Sequence, residues 1–209
     1  MSACSITAAG VLASSTPARR QPRTSAARLC IHGPEDAGRA AIEDYIQARY
    51  LQRFGARIVD WLPNLVSLEA HGEIVAAAGY RSAANPLYLE RYLPQPIQTY
   101  LAAGESPSPG RSQIVETGQF ASDRSAGRLL VPLLAQHLSS SGFLWAVSTV
   151  TSELAQLFQR MGLTPLVLGA ADPACLTTAE REAWGSYYAH TPHVVAERLS
   201  LVVRQLRAA

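Results

Sequence analysis

Residues Ile114 to Gly169, IVETGQFASDRSAGRLLVPLLAQHLSSSGFLWAVSTVTSELAQLFQRMGLTPLVLG, constrain this chain more than any other segment. They read as strand, glycine-bearing loop, helix, strand, helix and strand in unbroken succession. Ile114 to Ser122 has strand composition with Gly118 in its middle, and a glycine inside a strand marks a bulge or a close backbone approach. Asp123 or Ser125 is placed to cap the next helix, whose buried face is expected from Leu129, Leu130, Leu133, Leu134 and Leu138, with Pro132 in its first turns. Phe143 to Val150 is a continuous apolar run, the pattern of a strand covered on both faces. Thr151 caps a second helix carrying Leu154, Leu157, Phe158 and Met161 at helical spacing, Gly162 stops it, and Leu163 to Leu168 forms the closing strand. A strand whose exit loop opens a helix turns unpaired N–H groups and a positive dipole end toward one spot, which suits the phosphate of an anionic carrier.

The flanking sequence fits the same α/β reading. Met1 to Ala27 mixes Ser, Ala, Thr, Pro and Arg without periodicity and reads as a disordered arm. Arg28 to His32 is strand-like, and Asp36 to Phe54 reads as a helix with Ala41, Ile42, Tyr45, Ile46 and Tyr50 on one face, ended by Gly55. Asn64 to Ala70 and Ile74 to Tyr80, parted by His71, Gly72 and Glu73, form an antiparallel hairpin. Pro94 and Pro96 split Pro86 to Leu101 into two short helices, and Gly104 to Ser112 is a flexible connection. After Ala170, a loop and a helical turn over Thr177 to Glu182 precede the aromatic run WGSYY, and Val194 to Leu206 fits helix and strand templates equally. The expected organisation is an arm (1–27), one α/β domain (28–169) with a mixed, mostly antiparallel sheet flanked by helices, and an extension (170–209) packed on it.

Composition removes several classes of function. The 18 cationic side chains are all arginine, the net charge is +2, and no basic cluster of the size of a face is present, which argues against nucleic acid as a partner. Three widely spaced cysteines with no C-x-x-C point to a reducing, cytoplasmic setting rather than a disulfide framework. The apolar patch AAGVLA is too short for a signal-peptide core, and no run reaches transmembrane length. His190 and His193 lack further ligands at metal-site spacing, no G-x-S-x-G elbow exists, Cys175 has no local sign of activation, and no phosphate loop of the G-x-x-x-x-G-K type occurs. The expectation is therefore no metal and no permanently bound cofactor.

Two motifs in the central stretch resemble the GNAT acyltransferase superfold. Arg124, Gly127 and Leu129 stand on its R/Q-x-x-G-x-G/A loop pattern, with Leu129 replacing the last small residue. LFQRMGL is similar to its F-Y-x-x-x-G-F element, and Phe158 falls where many members have the tyrosine that protonates the leaving thiolate. VETGQFA resembles the E-x-S-R-F signature of acyl-homoserine-lactone synthases, which move a fatty acyl chain from acyl carrier protein to S-adenosylmethionine; Glu116 and Phe120 match, and Gln119 replaces the arginine. QARYLQRFGARI, LVSLEAHGEIVAAAGYRSA, LYLERYLPQPI, VETGQFAS and WGSYYAHTPHV are together similar to the thermostable haemolysin family, across nearly everything after the arm.

The resemblance implies transfer of an acyl group, preferably of medium or long chain, from acyl carrier protein or CoA to the amine of a small metabolite such as an amino acid. Glu116 is the implied base or amine anchor, with Gly118 and Gln119 beside it and a bulge N–H as oxyanion donor. Phe120, Ala121, Ser122, Arg124, Ala126, Gly127 and Arg128 are the implied carrier contacts. Arg81, Trp145, Phe158 and Tyr187 are candidates for substrate binding. Structural alternatives stand beside each: an ion pair between Glu116 and Arg81, an ordinary exposed turn at Arg124 and Gly127, and plain edge packing for Trp184, Tyr187 and Tyr188. The family's name, which records cell lysis, keeps a membrane-active lysin as an alternative function, and Phe158 and Leu129 keep a non-catalytic binding module. A sheet edge near the tail offers a route to a homodimer.

Overall fold

Local chemistry sets most element boundaries in the computed structural model, which describes residues 27–102, 108–123 and 126–208. Residues 1–26 of the arm, residues 103–107 at the start of the connection, Arg124, Ser125 and Ala209 lie outside the described residues. Strand β1 (Arg28–His32) precedes helix α1 (Arg39–Phe54), which starts three residues later than its apolar pattern suggests. The delay has a cause: the Asp36 carboxylate turns back to accept the Gly38 N–H at 2.7 Å, so the chain makes a turn first. Ile42, Ile46 and Tyr50 face the core, while Ala41 is exposed. Gly55 ends the helix at φ 65°, a left-handed conformation that glycine adopts without strain.

Strands β2 (Asn64–Ala70) and β3 (Glu73–Ser82) form the expected hairpin. Its turn is His71 and Gly72, at φ 55° and 83°, so both central residues are left-handed as a two-residue turn of this hand requires. A 3₁₀ turn over Tyr88–Tyr92 and the short helix α2 (Ile97–Leu101) follow. Then come β4 (Ile114–Ser122), α3 (Gly127–Ser140), β5 (Trp145–Val150) and α4 (Ser152–Arg160). The tail supplies β6 (Leu166–Ala170), α5 (Thr178–Ala183), a 3₁₀ turn at Tyr187–His190, β7 (His193–Arg198) and α6 (Leu199–Ala208).

The seven strands among the described residues form one sheet in the order β1-β2-β3-β4-β5-β7-β6. Only β4 and β5 are parallel; the other pairings are antiparallel. The last strand in the chain, β7, lies between β5 and β6. The ambiguous Val194 to Leu206 run resolves as strand then helix, because Val194 and Ala196 join the core on one face of β7 and Val195 on the other. Helices α3, α4 and α6 cover one face of the sheet, and α1, α2, the Tyr88 turn and the aromatic tail cover the other.

Two side-chain expectations for α3 are corrected. Leu129 and Leu133 are exposed, at 54% and 38%, and the face against the sheet is Leu130, Val131, Leu134, Ala135 and Leu138. A stripe built on 130, 134 and 138 reaches 131 and 135 on its other flank, so runs of adjacent leucines did not identify the buried edge. Pro132 sits within the helix, and its N-cap position is Ala126 rather than Asp123 and makes no side-chain cap; Ser125, the other candidate, lies outside the described residues. Thr151 does cap α4, accepting the Leu154 N–H.

Candidate active site

The site begins with a gap in the sheet. Pairing between β4 and β5 runs from Ile114 opposite Trp145 to Thr117 opposite Ser148 and stops there, although both strands continue. Just beyond that point β4 carries a bulge: Gly79 faces Gly118 and Ala77 faces Ala121, so Gln119 and Phe120 oppose Ala78 alone. Gln119 takes φ 54°, an uncommon value for a residue with a side chain. Gly79 makes room for it, since a Cβ there would lie 2.8 Å from the Leu62 Cβ and 3.0 Å from the Gln119 Oε1.

The bulge re-aims Gln119 onto the face of Glu116, where strict alternation would oppose them. Its Nε2 donates to the Asp60 carbonyl at 2.9 Å, and its Oε1 accepts the Leu62 N–H at 3.3 Å. That pins the loop before β2, and Asp60 in turn accepts from Arg81 Nη2 at 3.3 Å. Glu116 is 5% exposed, and its two oxygens accept the Tyr88 and Leu89 N–H groups, each at 3.0 Å. Burial pushes its carboxyl pKa up, against the opposing pull of these amides and of Arg81. Arg81 lies across the strand pair from it, with Nε 3.7 Å from Glu116 Oε2. This Nε is buried and has no hydrogen-bond partner.

Glu116, Gly118, Gln119 and Arg81 therefore meet at one cavity of about 170 Å³. Its far wall is aromatic: Tyr50, Tyr88, Tyr92, Trp184, Tyr187 and Tyr188. Trp184 Nε1 donates to Tyr88 Oη at 3.0 Å, and the Tyr92 and Tyr188 hydroxyls are 2.5 Å apart. Glycine is required at 185 to bring this wall in, because a Cβ there would sit 2.3 Å from the Phe54 carbonyl oxygen. The turn that binds Glu116 is itself clamped. Glu90 receives two hydrogen bonds from Arg111, at 2.6 and 2.9 Å, and also accepts the Ile97 N–H at 3.0 Å.

A second, larger groove of about 800 Å³ opens where β4 and β5 part. Phe120, Ala121, Ser122 and Gly127 line it, as the carrier reading expects. Its cations were not anticipated: Arg49, Arg53 and Arg160 all border it, and Arg49 Nε is buried without a partner. Arg49 also pairs with Asp123 at the end of β4. Arg49 and Arg53 lie four residues apart on α1, a spacing legible in the sequence but indistinguishable there from a solvated helix edge. Tyr50, Thr149 and Tyr187 line both the groove and the aromatic cavity, so the two adjoin. Tyr187 donates its hydroxyl to the Thr149 carbonyl at 3.3 Å.

A third, mostly apolar cavity of about 60 Å³ lies on the other face of the sheet and includes Phe158, whose ring meets Phe120 edge-on at 6.4 Å. Ala126 precedes α3, and neither it nor Arg128 nor Trp145 borders any of these three spaces. Trp145 packs instead against the cluster around Leu89 and Val147, two alternate positions back along β5 from Thr149. Arg124 lies outside the described residues. Among the described residues no cluster of His, Cys, Asp and Glu is arranged to hold a metal ion, and no helix is long and apolar enough to cross a membrane.

The model of the thermostable hemolysin family matches residues 32–203. The chain belongs to that family. No curated protein matches it. Among solved structures, the acyl-homoserine-lactone synthase LasI superposes with a TM-score of 0.56 at 13% identity, covering 84% of this chain and 91% of that one. The CoA-dependent acyl-homoserine-lactone synthase BjaI, solved with SAM and isopentyl-CoA, gives 0.56 at 13% identity, covering 88% and 87%. FeeM, an N-acyl amino acid synthase from uncultured soil microbes, gives 0.55 at 13% identity, covering 86% and 98%. At these identities the likeness is one of fold. This thermostable hemolysin family member has the GNAT-like architecture of those acyltransferases, with its mixed, mostly antiparallel sheet.

Proposed function

We propose that this protein is an N-acyltransferase that moves a medium or long acyl group from a CoA or acyl-carrier-protein thioester to the amine of a small metabolite. The observation that carries the reading is the junction at Tyr50, Thr149 and Tyr187, where a groove bordered by three arginines and by the paired carboxylates Asp123 and Glu153 meets a cavity holding a buried carboxylate. The groove suits an anionic carrier and the cavity an amine, so the reacting carbon would sit between them.

In this reading Glu116 anchors the acceptor ammonium and takes its proton. A carboxylate has about four lone-pair positions, and two backbone amides leave others free. The amine nitrogen attacks the thioester carbonyl, the C–S bond breaks, and the thiolate leaves on the groove side that Arg49, Arg53 and Arg160 border, taking the second proton that the nitrogen sheds as the amide forms. An N–H at the Gln119 bulge faces the developing oxyanion. Arg81 Nε, ion-paired with Glu116 but without a hydrogen-bond partner, favours an acceptor that also carries a carboxylate, as an amino acid does. Two free thiols among the described residues, Cys30 and Cys175, suit a reducing, cytoplasmic setting. No resident cofactor is required, and a homodimer formed through an exposed sheet edge is compatible with it.

The test is mass spectrometry of purified protein given acyl-CoA and acyl-carrier-protein thioesters with a mixture of amino acids and other amines. An N-acyl product is expected. If none forms from any pair while the same protein releases dye from liposomes without a donor, the reading is replaced by that of a lysin.

A further inference from the structure

The third cavity lies between the sheet and helices α3 and α6, and a single ionisable group interrupts its lining. Val131, Leu134, Ala135, Leu138, Leu163, Leu199 and Val202 make the lining apolar, and Glu197 enters it from β7. Glu197 Oε1 is buried and has no hydrogen-bond partner. No other cavity-lining residue titrates, and burial alone pushes the Glu197 carboxyl up to about 7. A buried polar atom left unpaired is destabilising, so a chain that keeps one in an apolar pocket calls for an occupant that satisfies it.

Strand register gives the position of this group. Thr117 faces Ser148 at the last paired position before β4 and β5 part, and their hydroxyls are 2.5 Å apart. Glu197 lies opposite Ala146, two residues back along β5 and so about 7 Å from that position. A chain entering at the gap would pass Phe120 and Phe158, then the Thr117 and Ser148 hydroxyls, and then reach Glu197. The Thr117 and Ser148 hydroxyls already hydrogen-bond each other, whereas Glu197 Oε1 has nothing.

We propose that this cavity receives the acyl chain of the donor and that Glu197 selects a chain bearing a hydroxyl group part-way along its length. This rests on the acyl-transfer reading above and names its donor class. A hydroxyl both donates and accepts, so it pairs with the carboxyl in either protonation state. A saturated chain leaves the carboxyl stranded against methylenes.

Calorimetric binding tests it, with no amine present so that no turnover occurs. The probes are thioesters of one chain length, saturated or with a single hydroxyl at successive carbons, each on CoA and on acyl carrier protein. The wild type is expected to bind one mid-chain hydroxylated probe about tenfold more tightly than the saturated one. Glu197→Gln, which still donates and accepts, should keep the preference, and Glu197→Leu, which completes the apolar lining, should reverse it. Equal binding of both probes overturns the proposal and leaves a resident water as the partner of Glu197. A preference confined to carbons beside the thioester, unchanged in Glu197→Leu, also overturns it, since Thr117 and Ser148 would then do the reading. If no thioester binds at all, the acyl-transfer reading itself falls, and this inference with it.

Discussion

Replacing Glu116 by glutamine separates what this side chain does for the fold from what it does for chemistry. Two carboxylate oxygens accept two backbone N–H groups, one each at 3.0 Å. Glutamine keeps one oxygen, and its NH₂ must then face the second amide, donor against donor. One buried N–H loses its acceptor, at a cost of about 1–3 kcal/mol. Relief from burying a charge offsets part of this, and loss of the attraction to Arg81 adds to it, so about 2 kcal/mol is expected. For a chain of this length that lowers Tm by about 4–8 °C, measurable by calorimetry. Hydrogen exchange should localise the damage to the amides of Tyr88 and Leu89, and acyl transfer should fall with it. A variant melting within about 1 °C of wild type, with unchanged exchange at both amides, would refute the double-acceptor role. Activity lost in such a variant would then belong to chemistry alone.

Further expectations concern the rest of the framework. The Glu197 carboxyl, raised to about 7 by burial, binds its proton more tightly folded than unfolded, so it weakens the fold progressively as pH rises from about 4.5 through 7. The shift amounts to about 3 kcal/mol unscreened, and about 2 kcal/mol for a partly exposed group. Chemical denaturation of wild type and Glu197→Gln should therefore diverge between pH 5 and pH 8, the variant being the more stable at pH 8; parallel curves would contradict a buried, unpaired acid. Gly185→Ala drives a Cβ into the Phe54 carbonyl, and it should cost about 2 kcal/mol or more and shift the fluorescence of Trp184. Gln119→Ala removes two hydrogen bonds to the loop at Asp60 and Leu62 and should cost about 1–2 kcal/mol while raising the KM for the amine more than it lowers kcat. A change in the donor KM alone would place Gln119 on the other side of the junction. Arg53→Ala should weaken donor binding and flatten its salt dependence while leaving amine binding unchanged, which titration at two ionic strengths would show.

The order of elements from β4 to α4 was legible because each has its own signal: the apolar run of β5, the Thr151 cap, the left-handed glycine that stops α4. Period and capping are local properties, and residues within one turn or one strand determine them. Gly118 likewise announced a bulge, although the bulge itself falls at Gln119, because two-against-one pairing is set by β3 and by the space that Gly79 leaves. Which strand neighbours which was not legible at the tail: β7 takes its place between β5 and β6 through contacts with both faces of the sheet, and nothing within His193–Arg198 specifies those partners.

The sequence by itself determined the mixed strand and helix succession, the hairpin, the stop and start residues, and Glu116 as the one carboxylate of the central strand. Tertiary structure alone decided how that carboxylate is held, by two amides from a turn some 27 residues away in the chain. It also decided that Gln119 shares its cavity, that Arg49 and Arg53 border the groove, and that Glu197 ends unpaired in an apolar pocket. The physical reason is the same in each case. Hydrogen-bond partners and burial depend on which distant segments the sheet brings within about 3 Å, and no local periodicity encodes that distance.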